Sequence, residues 1–334
     1  MSEAHSILSA LQTASRIVIV SHKSPDGDSV GSSLALYQLL KKWGKEAHVV
    51  HPDAAPDFLH WVPAQSAIVA FDERTEAAKQ LLADAEVICC LDFNEPSRVG
   101  KEMQPFLEQA PALKIMIDHH LNPSDFCRFR ISETSACSTA QLLYEWMEEA
   151  GILSDLDSVI GTCIYLGIMT DTGSFRFPSV NPKTHRILAH LMETGVVHYA
   201  IHEQIYDTNT IDRIRLRGYA LSEKLVCLDK LPIAYISLSA EELERFHYRK
   251  GDTEGLVNQV LGIGGIQMAA LFVEKDGAIK ISFRSKGDYK VNELAAAHFE
   301  GGGHGYASGG ISFTSMEETI SKFVTNVHQF IPVA

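Results

Sequence analysis

The stretch Ile17-Val18-Ile19-Val20-Ser21-His22-Lys23-Ser24-Pro25-Asp26-Gly27-Asp28-Ser29 constrains the fold more than any other part of the chain. A β-branched apolar run ends in a turn, and a helical pattern through Leu34, Leu36, Leu39 and Leu40 begins just after it. An apolar run of that kind is a strand covered on both faces, as in a parallel sheet. The turn carries His22, Asp26 and Asp28, three metal-ligating side chains in seven residues. Open α/β sheets place their sites at the carboxyl ends of such strands.

The pattern recurs downstream. Residues 47–50 form a second strand, residues 86–92 a third that ends in Asp92, and residues 113–118 a fourth that ends in Asp118-His119-His120. Helical patterns alternate with these strands, around residues 76–83, from Ser138 to Trp146, and from about Asp155 to Met169. The expected fold is therefore α/β, with an N-terminal doubly wound parallel sheet. From Asn181 to about Leu225 the pattern is helical and charged, and reads as a connector. A smaller α/β domain follows, with strands at 233–238, 268–274 and 278–284. The last two are joined by Asp276-Gly277, a hairpin signal. The expected domains are residues 1–190, a helical connector at 191–225 and a second domain at 226–334.

Parallel strands bring their carboxyl ends to one edge. His22, Asp26, Asp28, Asp92 and His119 should converge there, with Asp171 after a buried helix as a sixth member. Taken singly, each has a plainer use: Asp28 as a helix cap, Asp92 as a turn acid, His119 as a core histidine. Taken together, so many acids need a cation to neutralise them. Mixed carboxylate and imidazole donors suit Mn²⁺, Zn²⁺ or Fe²⁺ better than Ca²⁺. Six ligands fit two metals sharing a bridging carboxylate, a device that serves in-line phosphoryl displacement. Asp171-Thr172-Gly173 also matches the aspartic-protease triplet, but it occurs once and follows a helical pattern.

In the second half, Ser282-Phe283-Arg284-Ser285 offers a bidentate anion partner at Arg284. Gly301, Gly302 and Gly303 before His304 read either as a flexible loop or as backbone N–H groups that close around an anion. The formal net charge of −13 argues against a wide basic track for long nucleic acid. The six cysteines form no C-x-x-C pair and read as reduced. With no basic-then-apolar leader and no apolar run long enough for a bilayer, the expected location is cytoplasmic, with no membrane partner.

His22-x-x-x-Asp26-x-Asp28, Asp92, Asp118-His119-His120 and Asp171, in this order, resemble the DHH phosphoesterase superfamily. The second half resembles the DHH-associated C-terminal domain. The size and the segment from Gly167 to Phe175 are most similar to its branch of bifunctional oligoribonucleases and pAp phosphatases. The resemblance implies two Mn²⁺ ions, one held by His22, Asp26 and Asp92, the other by Asp28, Asp92, His119 and Asp171. Asp92 would bridge, Asp118 would orient its neighbours, and His120 would face the scissile phosphate. Across a cleft between the domains, Arg284, Gly301, Gly302, Gly303 and His304 would hold the nucleotide. The family often has four glycines before the histidine, and Glu300 takes the first position here. The implied substrates are short RNA oligonucleotides and adenosine 3′,5′-bisphosphate, and a homodimer follows by analogy. Competing readings are a phosphodiesterase of cyclic dinucleotides or their linear products, an inorganic pyrophosphatase or exopolyphosphatase, and a non-catalytic RNA-binding or nucleotide-binding protein.

Overall fold

The computed structural model describes residues 2–331 and divides between residues 208 and 209 into two compact units. The first is built on six parallel strands: β1 (Arg16–Val20), β2 (Glu46–His51), β3 (Ile68–Ala70), β4 (Val87–Leu91), β5 (Leu113–Asp118) and β6 (Phe129–Ser132). Their order is β3-β2-β1-β4-β5-β6, so the winding reverses between β1 and β4. The reversal opens a crevice at the carboxyl ends of these two strands.

Eight helices cover this sheet: α1 (Glu3–Thr13), α2 (Gly27–Lys42), α3 (Thr75–Asp84), α4 (Gln104–Gln109), α5 (Thr139–Glu149), α6 (Ser158–Asp171), α7 (Pro182–Glu193) and α8 (His198–Tyr206). Alternate strand residues feed two cores. Ile17, Ile19, Cys89 and Ile115 pack under α1, α2 and α5 to α8. Val18, Val20, Ile88 and Cys90 pack under α3 and α4. The adjacent Cys89 and Cys90 thus point to opposite faces, as period-two alternation requires. Each such fully buried aliphatic side chain contributes about 1.5–3 kcal/mol.

Helices α2 and α6 approach unusually closely. A Cβ on Gly31 would lie 2.5 Å from the Cys163 carbonyl oxygen, and one on Gly167 2.5 Å from the Ala140 Cβ. Only glycine fits at these two positions. The close approach sets the end of α6, and so Asp171, beside the start of α2.

The second unit begins with α9 (Ile211–Glu223) and contains β7 (Leu225–Cys227), β8 (Ile233–Leu238), α10 (Ala240–Arg245), α11 (Leu256–Leu261), β9 (Met268–Lys275), β10 (Ala278–Ser285), α12 (Val291–His298), β11 (Gly302–His304), β12 (Ala307–Ser312) and α13 (Met316–Asn326). Its sheet runs β11-β12-β10-β9-β8-β7, with β8 and β9 parallel and the other pairs antiparallel. Asp276 and Gly277, both at positive φ, close a two-residue hairpin between β9 and β10.

The expected connector at 191–225 is divided between the two units. Leu191, Ile201 and Ile205 of α7 and α8 complete the first core, whereas Leu216 and Ala220 of α9 belong to the second unit. Apart from the buried Arg213, the charges that suggest a linker lie on the outer faces of amphipathic helices.

Candidate metal centre

The turn after β1 is set by its own side chains. Asp26 caps α2, with its Oδ1 accepting from the backbone N–H groups of Asp28 and Ser29 at 3.0 Å each. Ser29 Oγ accepts in return from the Asp26 N–H, which completes a capping box. His22 is thereby left at the strand end, Asp26 at the mouth and Asp28 inside the first turn.

Asp28 is 1% exposed. Its two oxygens accept from the first backbone N–H groups of α5, Thr139 at 2.7 Å and Ala140 at 2.9 Å. A carboxylate suits a helix N-terminus. Burial, and then the like charge of Asp171, nevertheless pushes its pKa up to about 7. Asp92 follows β4 with φ +65, a left-handed conformation that an aspartate holds only under tertiary constraint. It accepts from the Thr139 hydroxyl at 3.0 Å. Burial and the neighbouring Asp28, Asp26 and Asp171 hold its pKa well above the ordinary carboxylate range.

Two imidazoles face these acids in the same way. His22 donates through Nδ1 to the Lys23 carbonyl at 2.9 Å, and its Nε2 lies 3.3 Å from Asp92 Oδ2 and 3.8 Å from Asp26 Oδ1. His119 donates through Nδ1 to the Ala136 carbonyl at 3.3 Å, and its Nε2 lies 3.4 Å from Asp171 Oδ2 and 3.7 Å from Asp92 Oδ1. A backbone carbonyl fixing one ring nitrogen while the other points into carboxylates is how metal-ligating histidines are held. His120 differs. Its Nδ1 donates to Asp118 Oδ1 at 2.7 Å, and its backbone N–H donates to Asp118 Oδ2 at 3.1 Å. Asp118 is fully buried.

The ligand atoms fall into triads that lie within 4.8 Å of one another: His22, Asp26 and Asp92; Asp28, His119 and Asp171; and Asp92, His119 and His120. Asp92 touches both histidine positions. Among the described residues, no lysine or arginine forms an ion pair with Asp28 or Asp92. Buried acids with raised pKa values, fixed imidazoles and no basic partner are a donor set that fits divalent cations. Thr139 was not legible as part of this centre. Its only signal is its place one residue after the helix cap Ser138.

The second unit arranges its residues along a sheet. Arg284 of β10 pairs in register with Ala307 of β12, which pairs with His304 of β11. Ser282, Gly309 and Gly302 form the next row on the same face. That face therefore carries small residues between Arg284 and the register position of His304, whose side chain lies outside the described residues. The glycine run is not a flexible loop. Gly302 and Gly303 belong to the edge strand β11, and the Gly301 N–H donates to the Ala295 carbonyl at 3.2 Å. A Cβ on Gly301 would collide with the Gly309 carbonyl, and one on Gly303 would lie 2.7 Å from the Ala307 oxygen. Both glycines are required for strand pairing. Glu300 stands at φ +45, a position where glycine would be unstrained.

A doubly wound sheet with clustered acids and imidazoles at its switch point is the arrangement of a hydrolase of the DHH type. Residues 16–168 match the DHH family, N-terminal domain, and residues 231–332 match the DHHA1 domain; the chain belongs to the DHH phosphoesterase family. It is 30% identical over 295 residues to the bifunctional oligoribonuclease and PAP phosphatase NrnA of Thermus thermophilus, spanning 88% of this chain and 83% of that protein. The protein of the same name from Bacillus subtilis is 29% identical over 294 residues, spanning 88% of each. An exopolyphosphatase-related protein from Bacteroides fragilis has a similar structure, with a TM-score of 0.93 and 41% identity over 98% of this chain and 96% of that one. RecJ of Thermus thermophilus, solved with Mn²⁺, shares the fold at a TM-score of 0.55 and 12% identity over 98% of this chain and 54% of its own. Among the described residues no helix is long and apolar enough to cross a membrane.

Proposed function

We propose that this chain hydrolyses very short oligoribonucleotides to mononucleotides and adenosine 3′,5′-bisphosphate to AMP, using two divalent cations, Mn²⁺ by preference. The observation that carries the reading is the pair of ligand triads joined through Asp92. The two curated relatives from Thermus thermophilus and Bacillus subtilis, each spanning 88% of this chain, carry both activities in their names.

His22, Asp26 and Asp92 would hold one cation, and Asp28, Asp92, His119 and Asp171 the other. Such a pair activates water and neutralises charge on the attacked phosphate. The chain's own groups supply the rest. The two backbone-anchored imidazoles keep Nε2 turned inward, so the donors are organised before a cation arrives. Asp118 holds the Nδ1 proton of His120, which leaves Nε2 to face the phosphate in this reading. There His120 stabilises the negative charge that gathers as the water oxygen bonds to phosphorus and the P–O bond to the leaving ribose breaks. Arg284 and the small-residue strand face of the second unit would receive the nucleotide.

The test is a parallel assay in Mn²⁺ with a diribonucleotide, a long RNA, adenosine 3′,5′-bisphosphate and pyrophosphate. Mononucleotides from the first and AMP from the third, with little action on the other two, is the expected result. Rapid pyrophosphate hydrolysis beside an inert diribonucleotide would overturn the assignment. Chelation should abolish activity, and Mn²⁺ should restore it.

A further inference from the structure

A cavity of about 540 Å³ lies at the carboxyl edge of the first sheet, beside the metal centre. Its size is that of pockets that enclose small ligands, about 300–1,000 Å³. The segments that carry His22 and Asp92 also build its wall. The Lys23 N–H donates to the Arg98 carbonyl at 2.8 Å, the Ser24 N–H donates to Asp53 Oδ1 at 2.7 Å, and Lys23 passes over Gly100. The cavity thus lies on the β2 and β3 side of the segment that carries His22, lined by the residues that follow those two strands.

The lining identifies the chemistry. The floor is apolar and partly aromatic: Phe71, Val99, Met103 and Phe106. The rings of Phe71 and Phe106 lie 5.8 Å apart at 40°, and the Lys79 ammonium sits 4.7 Å above Phe106. The rim holds two lysines against Asp53, Asp72 and Glu102. Lys23 pairs with Glu102 at 3.6 Å and Lys79 with Glu76 at 2.8 Å, so neither cation is reserved for an anion. A rim of two lysines and three acids, with both lysines already paired, offers no dedicated site for a second phosphate. It accepts hydrogen bonds from exocyclic amines and ribose hydroxyls, while aromatic rings stack with bases.

We infer that this cavity is the seat of the second nucleoside of a short RNA, the one beyond the scissile phosphate that adenosine 3′,5′-bisphosphate lacks. The inference rests on the function proposed above and adds a distinction to it. Adenosine 3′,5′-bisphosphate has one nucleoside and would leave the cavity unused, whereas a diribonucleotide has two. One metal centre could then serve both substrates, with the cavity governing only the RNA.

Two variants test this in the full-length enzyme loaded with Mn²⁺. Phe106→Ala removes the stacking surface, and Thr75→Trp fills the cavity from the rim without opening the core. Each should raise KM for a diribonucleotide by roughly tenfold, the effect of losing one stacked base. Turnover and KM with adenosine 3′,5′-bisphosphate should stay at the wild-type level. Equal losses on both substrates, or no loss on either, would overturn the cavity's role. A wild-type enzyme inert toward both substrates would instead overturn the underlying substrate assignment, and the cavity's role with it.

Discussion

Replacing Gly167 by alanine should damage the metal centre from within the helix pair. The added Cβ would lie 2.6 Å from Asp28 Oδ1 and 2.5 Å from the Ala140 Cβ, where ordinary contact begins at 3.4 Å. Asp28 cannot swing aside, because both of its oxygens are fixed by the N–H groups of Thr139 and Ala140. Helices α2, α5 and α6 must therefore part by about 1 Å. Overpacking of this kind costs about 1–3 kcal/mol. In a unit of this size each kcal/mol lowers Tm by about 2–4 °C. The same shift moves Asp28 and Asp171 relative to His119, and misplacing groups that orient ligands weakens metal affinity about 10- to 100-fold. Thermal unfolding followed by circular dichroism in chelator measures the first effect, and calorimetric titration with Mn²⁺ the second. Gly161→Ala on the same helix is the control. Its Cβ would meet Val196 Cγ2 at 2.8 Å and Thr194 Oγ1 at 3.1 Å, so it too overpacks the core, but against residues that are not metal ligands. If Gly167→Ala binds Mn²⁺ as Gly161→Ala does, the close packing does not organise the site.

Asp92→Asn should remove hydrolysis yet raise the stability of the metal-free protein, since it deletes one charge from a buried acidic cluster and asparagine tolerates the left-handed φ. Equal or lower metal-free stability in chemical denaturation would contradict the repulsion. His51 is fully buried, and burial, then the charge of His22, lowers its pKa from 6.5 to about 3. The unfolded chain gains a proton below pH 6.5 that the folded chain refuses, so stability present above that pH is lost as pH falls. The loss at pH 5 is about 2 kcal/mol. His51→Asn should remove that part of the slope, and identical pH profiles for the two proteins would refute it. Gly218 sits inside α9 with nothing within 4 Å of a Cβ, so Gly218→Ala should stabilise the second unit by about 0.5–1 kcal/mol in denaturant titrations.

The strands that carry the centre were legible because fully buried parallel strands leave unbroken apolar runs, and because each ends in an acid or histidine. β3 was not, being three residues long, nor was β6, an edge strand with the exposed Arg130 in its middle. β12, Ala-Ser-Gly-Gly-Ile-Ser, has almost no strand propensity. Its glycines are there for what lies against them: a Cβ on Gly310 would sit 2.8 Å from Phe299. Gly27 and Gly31, four apart on α2, carry a packing signal that becomes readable only once α6 is known to lie across them.

Asp28 and Asp171 lie at opposite ends of most of the first unit's chain, yet they face the same imidazole. During synthesis the first ligands leave the ribosome long before the last, and the centre cannot close until α6 has docked. A cation captured there would act as a clasp on a finished unit. It would add stability in proportion to the logarithm of its concentration over its Kd, and only to chains whose early and late segments have met. Metal supply would thus set how long this protein survives in a cell, apart from how fast it works.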